Sequence, residues 1–171
     1  MITKQVKLAK EFALNKFKEA GVDNHYIDVF NILKDKFNVN DQSILIAGLL
    51  HDTLEDTSTT YEEIKDTFSK LIADLVQEVS HPKNYNPEQK KEYYERIKTI
   101  SDGAKFIKMA DFTSHLQKFI KIYEKGEQHL YPKFVNNDKY IKSIREFLDS
   151  CKESQRKNLV YNLTNKLEDL L

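Results

Sequence analysis

The sequence predicts an all-α helical bundle, and three observations predict it. Glycine and proline are scarce, four and three in 171 residues, while Lys, Glu, Leu and Gln, all good helix formers, are common. Apolar residues recur at i, i+3 and i+4 through most of the chain, the period of one helix face. The spaces between these periodic stretches are short, as expected inside one bundle. No internal repeat, low-complexity segment or domain boundary interrupts them. Residues 1–171 therefore read as a single domain, long enough to bury a real core.

Composition excludes several classes of function. Charged residues are 32% of the chain and cancel to a formal net charge of zero. No global field draws the protein onto nucleic acid or an anionic membrane, so a site for an anionic ligand must be local. The single cysteine, Cys151, allows no internal disulfide and fits a reducing compartment. Met1 is followed by Ile2-Thr3-Lys4-Gln5 with no apolar leader, and no run approaches the ~18 apolar residues of a membrane span. The expectation is a soluble, cytoplasmic protein whose partner is a small molecule. Its oligomeric state is open, with a homodimer as one candidate.

Taken in order, residues 3–20 carry Val6, Leu8, Ala9, Phe12, Ala13, Leu14, Phe17 and Ala20 at helical spacing, with Gly21 as the stop. A second helix is expected from Asp23 or Asn24, either of which can cap it. It directs Ile27, Phe30, Ile32, Leu33 and Phe37 inward and holds His25 in its first turn. Asn38 to Asp41 form a turn and cap, and Ile44 to Leu50 an almost continuously apolar helix that delivers His51 and Asp52. If that helix runs on through Asp56, Glu55 stands one turn above His51 and Asp56 one turn above Asp52, all near one region. Thr60 to Glu63 match a capping box opening a short helix. Leu71, Ile72, Leu75, Val76 and Val79 mark a core helix over 69–79. Residues 80–87 are a loop, and Pro87 suits the first turn of a helix through Tyr93, Tyr94 and Ile97. His81 and His129 read as surface residues. A long helix from about Ala104 carries Asp111 inward with Ile107 and His115 and ends before Gly126. Two amphipathic helices follow, over about 138–150 and 154–170.

The residues that carry chemistry are the polar ones set in apolar helices: His25, His51, Asp52 and Asp111. Buried carboxylates need a partner or a metal. Two imidazoles and two carboxylates suit a borderline to hard divalent ion such as Mn²⁺, Fe²⁺ or Zn²⁺. Without a cysteine ligand, a closed structural zinc site is disfavoured. Four ligands on an ion preferring six leave room for water and substrate, the arrangement hydrolysis needs. Glu55 and Asp56 then remain as adjacent carboxyls able to orient water or move its proton. On the residues alone a second reading stands beside this one, in which Asp52, Glu55 and Asp56 merely end an exposed helix.

A resemblance separates the two. Leu49-Leu50-His51-Asp52 followed by Glu55-Asp56-Thr57 resembles the signature of HD-superfamily phosphohydrolases, and more narrowly the hydrolase domain of RelA/SpoT-type alarmone enzymes and stand-alone small alarmone hydrolases. Asn24-His25-Tyr26-Ile27 is similar to the family's first-histidine helix, and Lys108-Met109-Ala110-Asp111 to its last-aspartate segment. The likeness covers roughly residues 5–125. It implies an HD-domain helical bundle and a Mn²⁺ ion held by His25, His51, Asp52 and Asp111, with Zn²⁺ or Fe²⁺ as other candidates. It implies that Glu55 and Asp56 act on the attacking water. The family reaction removes the 3′-pyrophosphate from ppGpp or pppGpp, leaving GDP or GTP and pyrophosphate. No counterpart of the synthetase domain is expected in a chain this short, which implies a one-way degrader.

The sequence departs from the family at three places. Tyr26 stands where a proline usually follows the first histidine. Phe112 stands for a basic residue and His115 for an asparagine near the ribose, and no arginine precedes Arg96 to stack on a base. The metal and catalytic positions are kept while base and ribose positions change. A second hypothesis is therefore the same hydrolysis on another phosphorylated nucleotide, an adenine alarmone or a nucleotide 3′- or 2′-phosphate. A third is a sensing module without turnover, which the retention of Glu55 and Asp56 opposes. His115, Lys83 and Lys108 are candidate substrate contacts.

Overall fold

A computed structural model describes residues 3–22, 25–82, 86–130 and 137–171. No strand occurs among them. Ten α-helices are described: α1 (Lys4–Ala20), α2 (Tyr26–Asn31), α3 (Gln42–Leu50), α4 (Thr53–Asp56), α5 (Tyr61–Thr67), α6 (Lys70–Val79), α7 (Pro87–Arg96), α8 (Asp102–Glu124), α9 (Asn137–Asp149) and α10 (Gln155–Glu168). The predicted all-α class holds, and most helix bounds fall within a few residues of expectation. The expected caps at Asp23 and Asn24 lie outside the described residues, as does Lys83.

Helix α3 is the axis of the bundle. Asp41 caps it, its carboxylate accepting from the Ser43 and Ile44 backbone N–H groups, which satisfies two of the unpaired donors of the first turn. From Leu45 to Leu50 every side is buried, because α1, α2, α6 and α8 all pack around it. A helix apolar on all faces has to sit in a core. At Gly48 an added Cβ would overlap the Leu33 side chain. The missing side chain lets α3 approach the segment after α2 closely. That segment, Ile32–Lys36, is a π-helical turn closed by Phe37 N–H donating to the Ile32 carbonyl at 2.9 Å. Such wide turns recur near functional sites.

Some apolar positions differ from expectation: Leu8 and Leu14 of the α1 stripe are 44% and 55% exposed, and two further residues expected in the core also lie outward. Ile27 and Leu71 are 38% and 57% exposed. Val29 takes the inward place in α2 and Ile72 in α6. The π-turn shifts the register of the inward stripe, so a strict 3.6 period misplaces Ile27. Thr60 caps α5, accepting from Glu63 N–H, but the Glu63 carboxylate turns to Lys16 at 2.7 Å. The full capping box forms instead at α7, between Asn86 and Gln89 with Pro87 in the first turn. Gly21 and Gly126 follow α1 and α8 with φ of +66° and +69°, the left-handed conformation that ends helices.

Leu49 is fully buried in α3 and Leu14 is 55% exposed on α1. Leu49→Ala is expected to lower unfolding stability by about 2–5 kcal/mol in urea titration, and Leu14→Ala by less than about 0.5 kcal/mol. Equal effects would mean α3 is not the axis of the core.

Candidate metal centre and cleft

Helix α3 stops at Leu50. His51 keeps helical dihedrals, and Asp52 (φ −97°, ψ 0°) turns the chain into α4. Side-chain hydroxyls reach three of the carbonyls at this break. Thr53 Oγ1 donates to the Leu50 carbonyl at 2.7 Å and Thr57 Oγ1 to that of Thr53 at 2.7 Å, and Ser80 Oγ shares its one hydrogen between the Val76 carbonyl at 2.7 Å and that of His51 at 3.3 Å. Buried threonine hydroxyls and Ser80 thus hold a sharp turn that backbone bonds alone could not. The turn corrects one expectation. The helix does not run on through Asp56, so Glu55 and Asp56 do not stand above His51 and Asp52 on a single face.

The turn brings His51 and Asp52 against His25, which immediately precedes α2, and Asp111, in the middle of α8. His25 Nε2 lies 3.3 Å from His51 Nε2, 3.3 Å from Asp52 Oδ2 and 3.4 Å from Asp111 Oδ1. His51 Nε2 lies 3.0 Å from Asp52 Oδ1 and 3.9 Å from Asp111 Oδ1. These contacts bring the four side chains close to one another, with His25 common to both sides of the cluster.

The other ring nitrogens show why. His51 Nδ1 donates to the Gly48 carbonyl at 3.0 Å, and His25 Nδ1 pairs with Ser114 Oγ at 3.0 Å. These bonds fix both rings and turn both Nε2 atoms inward, as partners of ligating histidines do. Asp111 Oδ2 accepts from Lys108 Nζ at 2.6 Å, whereas Asp111 Oδ1 is buried without a hydrogen-bond partner among the described residues. A divalent transition ion reaches N and O ligands at about 2.0–2.2 Å, so neighbouring ligands around it stand roughly 3.0–3.5 Å apart. The observed separations and the orphaned oxygen fit such an ion. Without one the charges fall on each other. Burial pushes the His51 imidazole down, but Asp52 and Asp111 outweigh it and raise the pKa to about 9. Burial likewise pushes the Asp111 and Asp52 carboxyls up, and nearby Lys108 and the histidines around Asp111, and His51 and His25 around Asp52, hold both well below the usual range.

A cleft of about 850 Å³ opens beside the cluster. His25, Asp52, Asp56 and His115 line its inner end, and Lys36, Lys118, Lys121 and Lys125 lie along the rest with Asp28, Asp35 and Glu127. Burial first, then Asp52 and Glu55, raise the Asp56 carboxyl. His115 stacks on His25 with ring centres 4.4 Å apart, and its Nδ1 is 3.2 Å from Asp111 Oδ1. Lys108 does not line the cleft. It is buried under Asp111 with the rings of Tyr93 and Phe112 5.6 and 5.0 Å away. Glu55, next to the cleft-lining Asp56, is not itself among the lining residues and meets His81, at 2.7 Å from the ring. His81 is thus half-buried rather than at the surface. Nothing in the local sequence marks Ser114 beyond its place three residues after Asp111 on α8, which puts it on the same face.

A family model described as the HD domain matches residues 6–130. The chain belongs to the HD-domain family. Among HD-domain relatives, the "guanosine-3′,5′-bis(diphosphate) 3′-pyrophosphohydrolase MESH1" of Xenopus tropicalis is 34% identical over 125 residues, 71% of this chain and 70% of the relative. That of Homo sapiens is 36% identical over 104 residues, 60% of this chain and 58% of the relative. Two solved structures share the fold. One, described as a metazoan ortholog of SpoT that hydrolyzes ppGpp, aligns with a TM-score of 0.71 at 23% identity over 98% of this chain and 94% of its own. The other, from Listeria monocytogenes EGD-e, aligns at 0.69 and 22% identity over 83% and 97%. No helix among the described residues is long and apolar enough to cross a membrane.

Removing the Lys108 cation leaves the buried Asp111 charge without its closest partner. Lys108→Met is expected to destabilise the metal-free protein by about 3–5 kcal/mol in chelator-containing urea titrations. A loss below about 1 kcal/mol would show that the histidines alone balance Asp111.

Proposed function

We propose that this protein is a metal-dependent hydrolase that removes the 3′-pyrophosphate from ppGpp and pppGpp, giving GDP or GTP and pyrophosphate. One observation carries the reading: His25, His51, Asp52 and Asp111 converge around an orphaned buried oxygen. The HD-domain chain that holds them is related to proteins named for that activity. These four residues would hold Mn²⁺, with Zn²⁺ or Fe²⁺ also compatible with a mixed nitrogen and oxygen set. When bound, such an ion acidifies water and offsets the negative charge of the phosphates.

The chain's own residues do the rest. Water adds to the phosphorus attached to the ribose 3′-oxygen, the bond from that oxygen to phosphorus breaks, and the 3′-oxygen takes up a proton. Asp56, lining the inner cleft, and Glu55 beside it are the carboxyls that orient the water and carry its proton. Lys36, Lys118, Lys121 and Lys125 along the cleft supply positive charge for a substrate with polyphosphates at both ends. The cleft volume lies within the range of small-ligand sites. The active unit is a single HD hydrolase domain in the cytoplasm.

A second reading has its own support. Phe112 is buried against Tyr140 and Phe147, so that position offers no cation to a substrate, and His115 places an imidazole in the cleft. Both favour the same hydrolysis on a different nucleoside. A product panel with Mn²⁺ over ppGpp, pppGpp, ppApp and NADPH, separating pyrophosphate from phosphate, decides between them. Pyrophosphate from the guanosine substrates supports the first reading; turnover of the others alone overturns it.

Asp52→Asn is expected to lose bound metal and turnover together, and metal retained at wild-type stoichiometry would remove Asp52 from the ligand set. Glu55→Gln is expected to keep its metal while kcat falls about 10²–10⁴-fold; near-normal kcat would take Glu55 out of the reaction.

A further inference from the structure

His81 lies just past the C-terminus of α6, and two of its donor groups meet Glu55. Its backbone N–H donates to Glu55 Oε1 at 3.0 Å, and its ring Nε2 lies 2.7 Å from Oε2. The other ring nitrogen, Nδ1, is 2.9 Å from the Pro82 carbonyl. A carbonyl only accepts, so Nδ1 carries a hydrogen. The short contact at Nε2 must then hold a second proton between imidazole and carboxylate. Tyr93 fixes the ring from the side, edge-on at 5.4 Å, and Tyr93 is itself anchored by donating from its hydroxyl to the Val79 carbonyl at 3.1 Å. Arg96 donates to the carbonyls of Glu78 and Ser80 at 2.7 and 2.5 Å, and Ser80 Oγ donates to the His51 carbonyl at 3.3 Å. The strap 80–82 is therefore tied to α7 on one side and to the His51 turn on the other.

We propose that His81 is a positioning residue for the hydrolysis, clamping the Glu55 carboxylate by two donors so that its remaining lone pairs meet the reacting water in one orientation. The proposal rests on the reading above that Glu55 acts on that water. A carboxylate has about four acceptor sites; His81 occupies two, one on each oxygen, and leaves one free on each. A rigid bidentate hold of this kind removes the carboxylate's freedom to turn away from the site, and positional errors of about 1 Å can cost around 10²-fold in rate. Burial lowers the His81 pKa, but Glu55 and the Pro82 carbonyl outweigh it and leave it raised, in keeping with a ring that donates from both nitrogens.

The test is a double-mutant cycle on kcat for ppGpp with wild type, His81→Ala, Glu55→Gln and the double variant, with His81→Gln as the conservative replacement. Circular dichroism and bound-metal content check that each is folded and loaded. His81→Ala is expected to lower kcat about 10–100-fold, with KM and metal content within about twofold. His81→Gln, whose amide can still donate to Glu55, should recover most of that loss. His81→Ala should cost nothing further in the Glu55→Gln background, since it acts through Glu55. In ring-nitrogen NMR, Nε2 of His81 should carry a hydrogen in the wild type and shift in Glu55→Gln. Unchanged kcat in His81→Ala overturns the proposal, as do losses that multiply in the double variant, or a His81 Nε2 without hydrogen. If the wild type releases no pyrophosphate from ppGpp, the functional reading has failed, and the ring-nitrogen signals alone decide whether His81 clamps Glu55.

Discussion

The structure depends on one constraint: a carboxylate oxygen inside an apolar bundle with nothing to accept from. Asp111 Oδ1 is buried in the middle of α8 and has no hydrogen-bond partner among the described residues. An unsatisfied buried acceptor costs roughly 1–3 kcal/mol, and more when charged. Three imidazole nitrogens stand around it, His115 Nδ1 at 3.2 Å, His25 Nε2 at 3.4 Å and His51 Nε2 at 3.9 Å, and the Asp52 carboxylate lies 3.0–3.3 Å from the last two. The ion pairs between imidazoles and carboxylates hold part of this cluster together, but they leave Asp111 Oδ1 without a hydrogen bond. A divalent cation would meet the orphaned oxygen, the two inward Nε2 atoms and Asp52 at once.

Much of the rest of the fold can be understood as support for that arrangement. Helix α3 is apolar on every face because it must cross the core to deliver His51. It then breaks at Asp52, and the hydroxyls of Thr53, Thr57 and Ser80 reach three of the carbonyls at the break. Helix α8 contributes Asp111, Lys108 beneath it and Ser114 beside it, three side chains on adjoining turns that respectively face the ion site, fix the carboxylate and orient His25. The π-turn after α2 widens the chain where Ile32, Asp35 and Lys36 line the cleft. The two adjacent acids are parted by the geometry of α4: Asp56 lines the cleft, while Glu55 is held from behind by His81.

The helices and the four clustered residues were legible in the sequence because both leave periodic or compositional marks. A histidine or aspartate inside an apolar run, as with His51 in α3 and Asp111 in α8, is a local anomaly. What the sequence hid are relations between distant segments. The break after Leu50 depends on hydroxyls, including Ser80 from another helix end, and a continuous apolar pattern gives no sign of it. The place of Glu55 follows from that break. His81 looks like an ordinary loop histidine until α4 and the strap after α6 are side by side. Ile27 and Leu71 carry the right residue type and spacing, yet face outward because the π-turn and the start of α6 rotate the stripe. Lys108 looked available to a substrate, but its amine is drawn under Asp111, a partner three residues along the same helix.

The direct measurement is an anomalous difference map from crystals grown with Mn²⁺. The account predicts a single strong peak within about 2.0–2.3 Å of His25 Nε2, His51 Nε2 and one oxygen each of Asp52 and Asp111. A peak elsewhere, or none at these four atoms, would contradict it.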